Sequence, residues 1–141
     1  DLYVQAHAFL LWNLFYKNKI LNSPFPVLNA YKSEQLSEAL HFIHDNYKTN
    51  ISLDSLAELA HLSKGQFCRS FKELTGMSPF HYLIRYRILQ SCNELSQTDR
   101  KITDIALTNG FNNVSYYNRA LLKVMGMTPK EYRKTCTSKT S

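Results

Sequence analysis

The chain has 141 residues, 44% of them hydrophobic, and a formal net charge of +6; that suffices for one compact domain, or one domain plus an arm, and excludes wholesale disorder. Its cysteines, Cys68, Cys92 and Cys136, are odd in number and form no CxxC, which argues against a disulfide framework or a zinc knuckle and suits a reducing cytoplasm. The run "AFLLWNLFY" at 8–16 falls far short of the roughly 20 residues of a membrane span, and without a basic region before it or a small-residue cleavage site after it, it is a poor signal peptide.

The charge is unevenly spread. Residues 1–61 carry four Lys against six acids, a net of −2, whereas 62–134 carry twelve Lys or Arg against five acids, a net of +7. A basic half beside a mildly acidic one points to a polyanionic partner for the basic part.

Apolar residues recur mostly at spacings of three and four, so helices are expected throughout. In the first stretch Val4, Ala8, Leu11 and Phe15 share one face, yet Phe9, Leu10, Trp12, Leu14 and Tyr16 make it apolar almost all round. The spacing predicts a helix over 1–21 that must be covered on several sides, by a second chain or another domain. A chain opening on Asp1 is also expected to be a fragment of a longer protein. "NSPFPV" at 22–27, with two prolines two apart, predicts a linker over 22–32.

"KSEQLSEALHFIHDNYK" at 32–48 resumes the helical period with Leu36, Leu40, Ile43 and Tyr47 inward, capped by Ser33 with Glu34 in the first turn. His41 and His44 stand at a metal-compatible spacing but lack a third ligand, so no metal is expected. In "SLDSLAELAHLSKGQFCRSFKELTG" at 52–76, Ser52 caps a short helix with Leu53, Leu56, Ala57 and Ala60 inward. "HLS" forms a turn, and Ser63 caps a second helix. This one presents Phe67, Phe71 and Leu74 inward and Lys64, Gln66, Arg69, Ser70 and Lys72 outward. Two short helices about a tight turn, the second basic outside, is the pattern of a helix-turn-helix.

"GMSPFHY" at 76–82 returns as "GMTPKEY" at 126–132, and Arg69 and Arg119 fall at the same offset. A repeat of this kind means one supersecondary unit used twice. Each Gly-Met-Ser/Thr-Pro is read as a stop-and-restart signal: a left-handed Gly ends one helix, Ser78 or Thr128 caps the next, and proline takes its first position. Tyr82 and Tyr132 are expected to pack back on the unit just ended. Between the copies, a helix from Pro79 to about Gln97 spans roughly 28 Å at 1.5 Å per residue, with Leu83, Ile84, Ile88 and Leu95 inward and Arg85 and Arg87 on a solvated or internally salt-bridged face. After "TDRK", the second copy comprises "ITDIALTNG", the turn "FNN" and "VSYYNRALLKVMG". The copies align at an offset of 49 before the turn and 50 after it, so the second turn is one residue longer. Phe67, Tyr116 and Tyr117 read as core or groove-wall packing.

The expected fold is therefore all-α: two tandem helix-turn-helix units (33–78 and 98–134) joined by a connecting helix (79–97), with an extra N-terminal helix and a disordered tail at 135–141. Major-groove faces on one side of B-DNA recur about every 34 Å, a separation that a stiff helix of this length could set between two recognition helices. The four glycines stand far apart and no HExxH or GxSxG occurs, so an enzyme is not indicated, and no cofactor is expected.

"ITDIALTNGFNN", "GMTPKEYR", "SLAELAHLSKGQF.R.FKELTGMSP" and "RYRI" make the region from about 35 to 134 resemble the DNA-binding domain of the AraC/XylS family of bacterial transcription regulators. The resemblance implies two recognition helices in adjacent major-groove segments of promoter DNA, activation by contact with RNA polymerase, and a separate sensing or dimerisation domain ahead of this one. Residues 1–21 would be the last helix of that domain, and a homodimer could form through either. It implies DNA contacts from Ser63, Lys64, Gln66, Cys68, Arg69 and Lys72 in the first unit. In the second they come from Asn112, Asn113, Val114, Ser115, Asn118, Arg119 and Lys123, with Val114 meeting a thymine methyl and Asn118 an adenine.

Four positions depart from the family. Gly65 replaces a larger side chain. Leu121 and Leu122 replace the usual Phe-Lys pair, so that a phosphate contact is lost or passes to Lys123. Glu94 stands where an apolar residue is common and is expected to loosen the packing of the connector on the second unit. Gly65, Glu94 and the apolar N-terminal helix also fit an alternative, a protein-interaction module that has kept the helix-turn-helix fold and lost specific DNA binding.

Overall fold

The computed structural model describes the backbone over residues 26–137 and the side chains over 34–137. The expected helix at 1–21 lies outside the described residues. Those described form seven helices and no strand, packed as two units.

Helix α1 (Pro26–Asn46) begins inside the stretch expected to be a linker, and Ser33 lies within it instead of capping it. Pro26 takes the first helical position, where a missing N–H costs nothing and a fixed φ suits the helix, so this proline starts the element. Ser52 caps α2 (Leu53–Leu59) by accepting from Ser55 N at 3.1 Å. Helix α3 (Lys64–Thr75) follows. Leu36, Ala39 and Ile43 of α1 are buried in this unit with Leu56, Ala57, Phe67 and Phe71. The opening turn of α4 (Pro79–Gln97) adds Tyr82, whose ring meets Phe71 edge-on at 5.5 Å. The Tyr82 hydroxyl bonds His44 Nε2, and burial lowers the His44 pKa.

The chain leaves this unit for Tyr47–Asn50, which fold with the second unit, and leaves it again after Tyr82 within α4. Tyr47 therefore does not extend the inner face of α1; its ring packs edge-on against Tyr86 at 5.2 Å. The second unit continues through α5 (Ile102–Thr108), α6 (Val114–Met125) and α7 (Pro129–Thr137), the last running three residues into the expected tail. Ile88, Cys92, Leu95, Ile105, Ala106, Phe111, Tyr117, Leu121 and Tyr132 form its core. Tyr117 donates its hydroxyl to Ser91 Oγ at 2.8 Å, and Ser91 donates to Ile88 O at 2.7 Å. The Tyr132 hydroxyl, equally buried, has only the Cys92 and Cys136 thiols beside it, which are weak partners.

Arg87 corrects an expectation. It is 7% exposed and pairs with no carboxylate among the described residues; Nε donates to Tyr47 O at 2.6 Å and Nη2 to Thr49 O at 2.7 Å. It clips residues 47–49 onto the second unit. Burial pulls its pKa below the usual range, with nearby Tyr116 working the other way.

Both helix-turn-helix reversals use the same hydrogen bonds. Leu62 N donates to Ala57 O and His61 N to Glu58 O, each at 3.0 Å; Phe111 N donates to Ala106 O at 3.0 Å and Gly110 N to Leu107 O at 3.2 Å. This is the Schellman arrangement, which needs a left-handed residue: His61 has φ 54° and Gly110 φ 91°. The extra residue of the second turn is Asn112, inserted after the shared bonds and before the cap of α6. The repeated stop signals behave as read, with Gly76 at φ 80° and Gly126 at φ 74°.

The two left-handed positions differ in what surrounds them. A Cβ on Gly110 would lie 2.8 Å from both Arg87 Nε and Tyr47 O, so Gly110→Ala is expected to cost about 2 kcal/mol or more in denaturant unfolding, adding a steric clash to the left-handed strain. His61→Gly relieves that strain at an exposed position and should be neutral or stabilise by up to about 1 kcal/mol. The buried hydroxyls separate likewise. Tyr117→Phe strips Ser91 of a partner and should cost about 1 kcal/mol, whereas Tyr132→Phe should be close to neutral in the same measurement.

Candidate nucleic-acid interface

At 100° per residue, the outward centre line of α3 is Gly65, Arg69 and Lys72, and that of α6 is Ser115, Arg119 and Leu122. All six are exposed. Each helix thus carries one arginine at the middle of its exposed face, fifty positions apart in the sequence. Beneath them Phe67 and Phe71, and Tyr117 and Leu121, are fully buried. The inner faces therefore fix how the outer faces are presented.

The N-terminal ends are closed by side chains. Ser63 Oγ accepts from Gln66 N at 3.2 Å while Gln66 Oε1 accepts from Ser63 N at 3.3 Å, a reciprocal capping box. Asn113 Oδ1 accepts from Tyr116 N at 3.1 Å. Of the residues proposed from sequence to contact DNA, Ser63, Gln66 and Asn113 therefore also serve as caps, and Lys64 reaches back to Asp54 at 2.7 Å. Cys68 is half-buried, while Arg69 and Lys72 are exposed. In the second unit Asn112, Ser115, Asn118, Arg119 and Lys123 are exposed. Val114 is half-buried and packs on the core.

Two large apolar side chains also lie on this face. Tyr116 is 37% exposed and Leu122 is 49% exposed; of the two places expected for it, core or groove wall, Tyr116 takes the groove wall, its ring leaning on Phe111 at 5.9 Å. The signal was available in the register: Tyr116 stands three residues before Arg119, whereas Tyr117 stands four before Leu121. Phe67 and Tyr117 are core, as read.

The basic excess of the second unit is partly internal. Arg87 holds carbonyls, and Arg133 donates to Leu95 O at 3.2 Å and Arg100 O at 2.7 Å. Arg100 pairs with Glu94. Glu94 does not loosen the connector: Oε1 accepts from Asn109 Nδ2 at 3.0 Å, and Asn109, fully buried, also donates to Ile105 O at 2.7 Å. The carboxylate thus ties α4 to the start of the second turn. No group of three or more metal-ligating side chains occurs among the described residues, nor any helix long and apolar enough to cross a membrane.

Two successive units, each with a capped second helix showing an arginine-centred face, define a tandem helix-turn-helix module. A family model described as a helix-turn-helix domain matches residues 56–135, and the chain belongs to the AraC-type helix-turn-helix transcriptional regulators, which bind DNA. It is similar to the crystal structure of the DNA-binding domain of AdpA, a global transcriptional factor, in complex with a target DNA. The TM-score is 0.70 at 26% identity, over 74% of this chain and 95% of that one. It is equally similar, at 27% identity and TM-score 0.70, to an AraC-type transcriptional regulator from Chromobacterium violaceum, over 76% and 96% of the two chains. Among curated relatives it is 31% identical to the uncharacterized regulator YdeC of Bacillus subtilis, over 86% of this chain and 43% of that protein. It is 27% identical to the MmsAB operon regulatory protein of Pseudomonas aeruginosa, over 77% and 36%. The chain spans less than half the length of these two relatives. Family and fold are those of DNA-binding transcription regulators, not of enzymes.

Glu94→Leu, which restores an apolar residue, should destabilise the protein by about 1–2 kcal/mol, because the buried Asn109 amide loses its charged acceptor. Thermal unfolding of the variant checks this; an unchanged or higher midpoint would contradict the tie.

Proposed function

We propose that the chain binds promoter DNA sequence-specifically and activates transcription, inserting α3 and α6 into adjacent major-groove segments. The observation that carries this reading is the repeated recognition face, an exposed arginine over a buried aromatic or leucine in each unit. Phosphate contacts from lysines and arginines would supply most of the affinity, and side chains at base edges the preference. Arg69, Lys72, Ser115, Asn118, Arg119 and Lys123 are the residues best presented for these roles. Asn113 remains a candidate for base edges through the amide nitrogen left over from capping, and Gln66 and Lys64 are candidates for phosphates, Lys64 once a phosphate displaces Asp54. Ser63, Cys68, Asn112 and Val114 are assigned to the margins of the contact. RNA polymerase is the protein partner proposed for activation, in the cytoplasm, and self-association would run through residues 1–21 or a further domain.

Arg69→Ala and Arg119→Ala should each weaken specific binding by about 1–3 kcal/mol, and affinity should fall steeply with salt. A gel-shift titration against the upstream promoter reads both. No shift at low salt would end this reading and leave the protein-interaction alternative.

A further inference from the structure

The two recognition helices do not offer DNA the same number of readers. In α3, Gln66 turns its carbonyl oxygen back to the Ser63 amide, Ser63 is occupied by Gln66 N, and Lys64 is drawn to Asp54. Cys68 is half-buried. Lys72 lies two turns into the helix, beyond the N-terminal residues that meet base edges in helix-turn-helix proteins. That leaves Arg69, and its position is unusual. Arg69 Nη1 lies 3.8 Å from where a Cβ on Gly65 would stand, so the guanidinium is folded along the bare backbone one turn towards the N-terminus. Gly65 is exposed and has no other side chain within 4 Å of that point. It does not have a left-handed backbone, so neither packing nor conformation demands glycine there. The matching position in α6 is Ser115.

We infer that Gly65 is a specificity-determining residue: it clears the N-terminal end of α3 so that Arg69 alone reads one guanine there, making the first half-site almost a single-base site while α6 reads several bases. The inference rests on the DNA-binding reading above. An arginine extended over a glycine can present both terminal nitrogens to guanine O6 and N7, the bidentate match that few other side chains make. With caps and ion pairs holding its neighbours, α3 has little to offer at flanking pairs. A Cβ at 65 would only touch the guanidinium at 3.8 Å, but a longer polar side chain would reach past it and add a reader of its own.

The test is selection from random duplex DNA by the unaltered chain and by Arg69→Ala, Gly65→Ala and Gly65→Gln. The unaltered chain should recover a multi-base motif and, beside it, a motif with one strongly preferred guanine. Arg69→Ala should lose only the guanine. Gly65→Gln should broaden the first motif to two or more specified pairs. Gly65→Ala, expected to unfold at a higher temperature because alanine is the better helix former, adds only a Cβ in ordinary contact with Arg69 and should keep the single-guanine motif, which separates reading from stability. Replacing the guanine by 7-deazaguanine, which removes N7, should lower affinity about tenfold for the unaltered chain and leave Arg69→Ala unaffected. A first motif specified at three or more pairs, or one that Gly65→Gln leaves unchanged, overturns the inference while sparing the DNA-binding reading. Failure to enrich any sequence removes both.

Discussion

Each unit depends on one hydrogen bond that reaches back five residues across a chain reversal, from Leu62 N to Ala57 O and from Phe111 N to Ala106 O. The bond ends the first helix, and the left-handed residue just before its donor turns the chain. A capped helix then starts within a few residues. Because the next buried aromatic, Phe67 or Tyr117, must seat against the first helix, the reversal also settles which side of the second helix is left outside. The arginine face follows from that constraint.

The same reversal is built from different residues in the two copies. Gly110 lies under Arg87 and the Tyr47 carbonyl, where any Cβ would collide. His61 takes the left-handed conformation with its side chain exposed. The second turn therefore joins a polar assembly in which Arg87 holds the 47–49 carbonyls and Glu94 holds Asn109. Charges that look like surface in a sequence are here acceptors and donors for buried backbone and amide groups, which would otherwise be left unsatisfied at considerable cost.

This redistribution changes the meaning of the basic composition. Of the cations in the second unit, Arg87 and Arg133 bind backbone carbonyls and the exposed Arg100 pairs with Glu94, so the electrostatic face is narrower than the net charge of residues 62–134 implies. What stays outside on α6 is mixed: Arg119 and Lys123 with Ser115 and Asn118, and between them the exposed Tyr116 and Leu122. On α3 it is sparser, because capping and ion pairing engage three of its polar side chains.

The amino-acid sequence alone determined the all-α class, the duplicated unit, the second turn's extra residue and the stop-and-restart signals. These depend on local periodicity, on left-handed glycines and on capping side chains, which act within a few residues of themselves. It located the second helix of each unit and its central arginine for the same reason. Pro26 was misread as a breaker because a proline's effect depends on whether it falls at the first position of a helix or inside one, and neighbouring residues do not say which. Only the tertiary structure decided the fates of Arg87, Glu94, Tyr47 and Tyr116. Arg87 and Tyr47 meet across some forty positions and Glu94 and Asn109 across fifteen. Whether a long polar side chain faces solvent or a distant carbonyl is set by what packing brings beside it, and that is not written in the residues on either side.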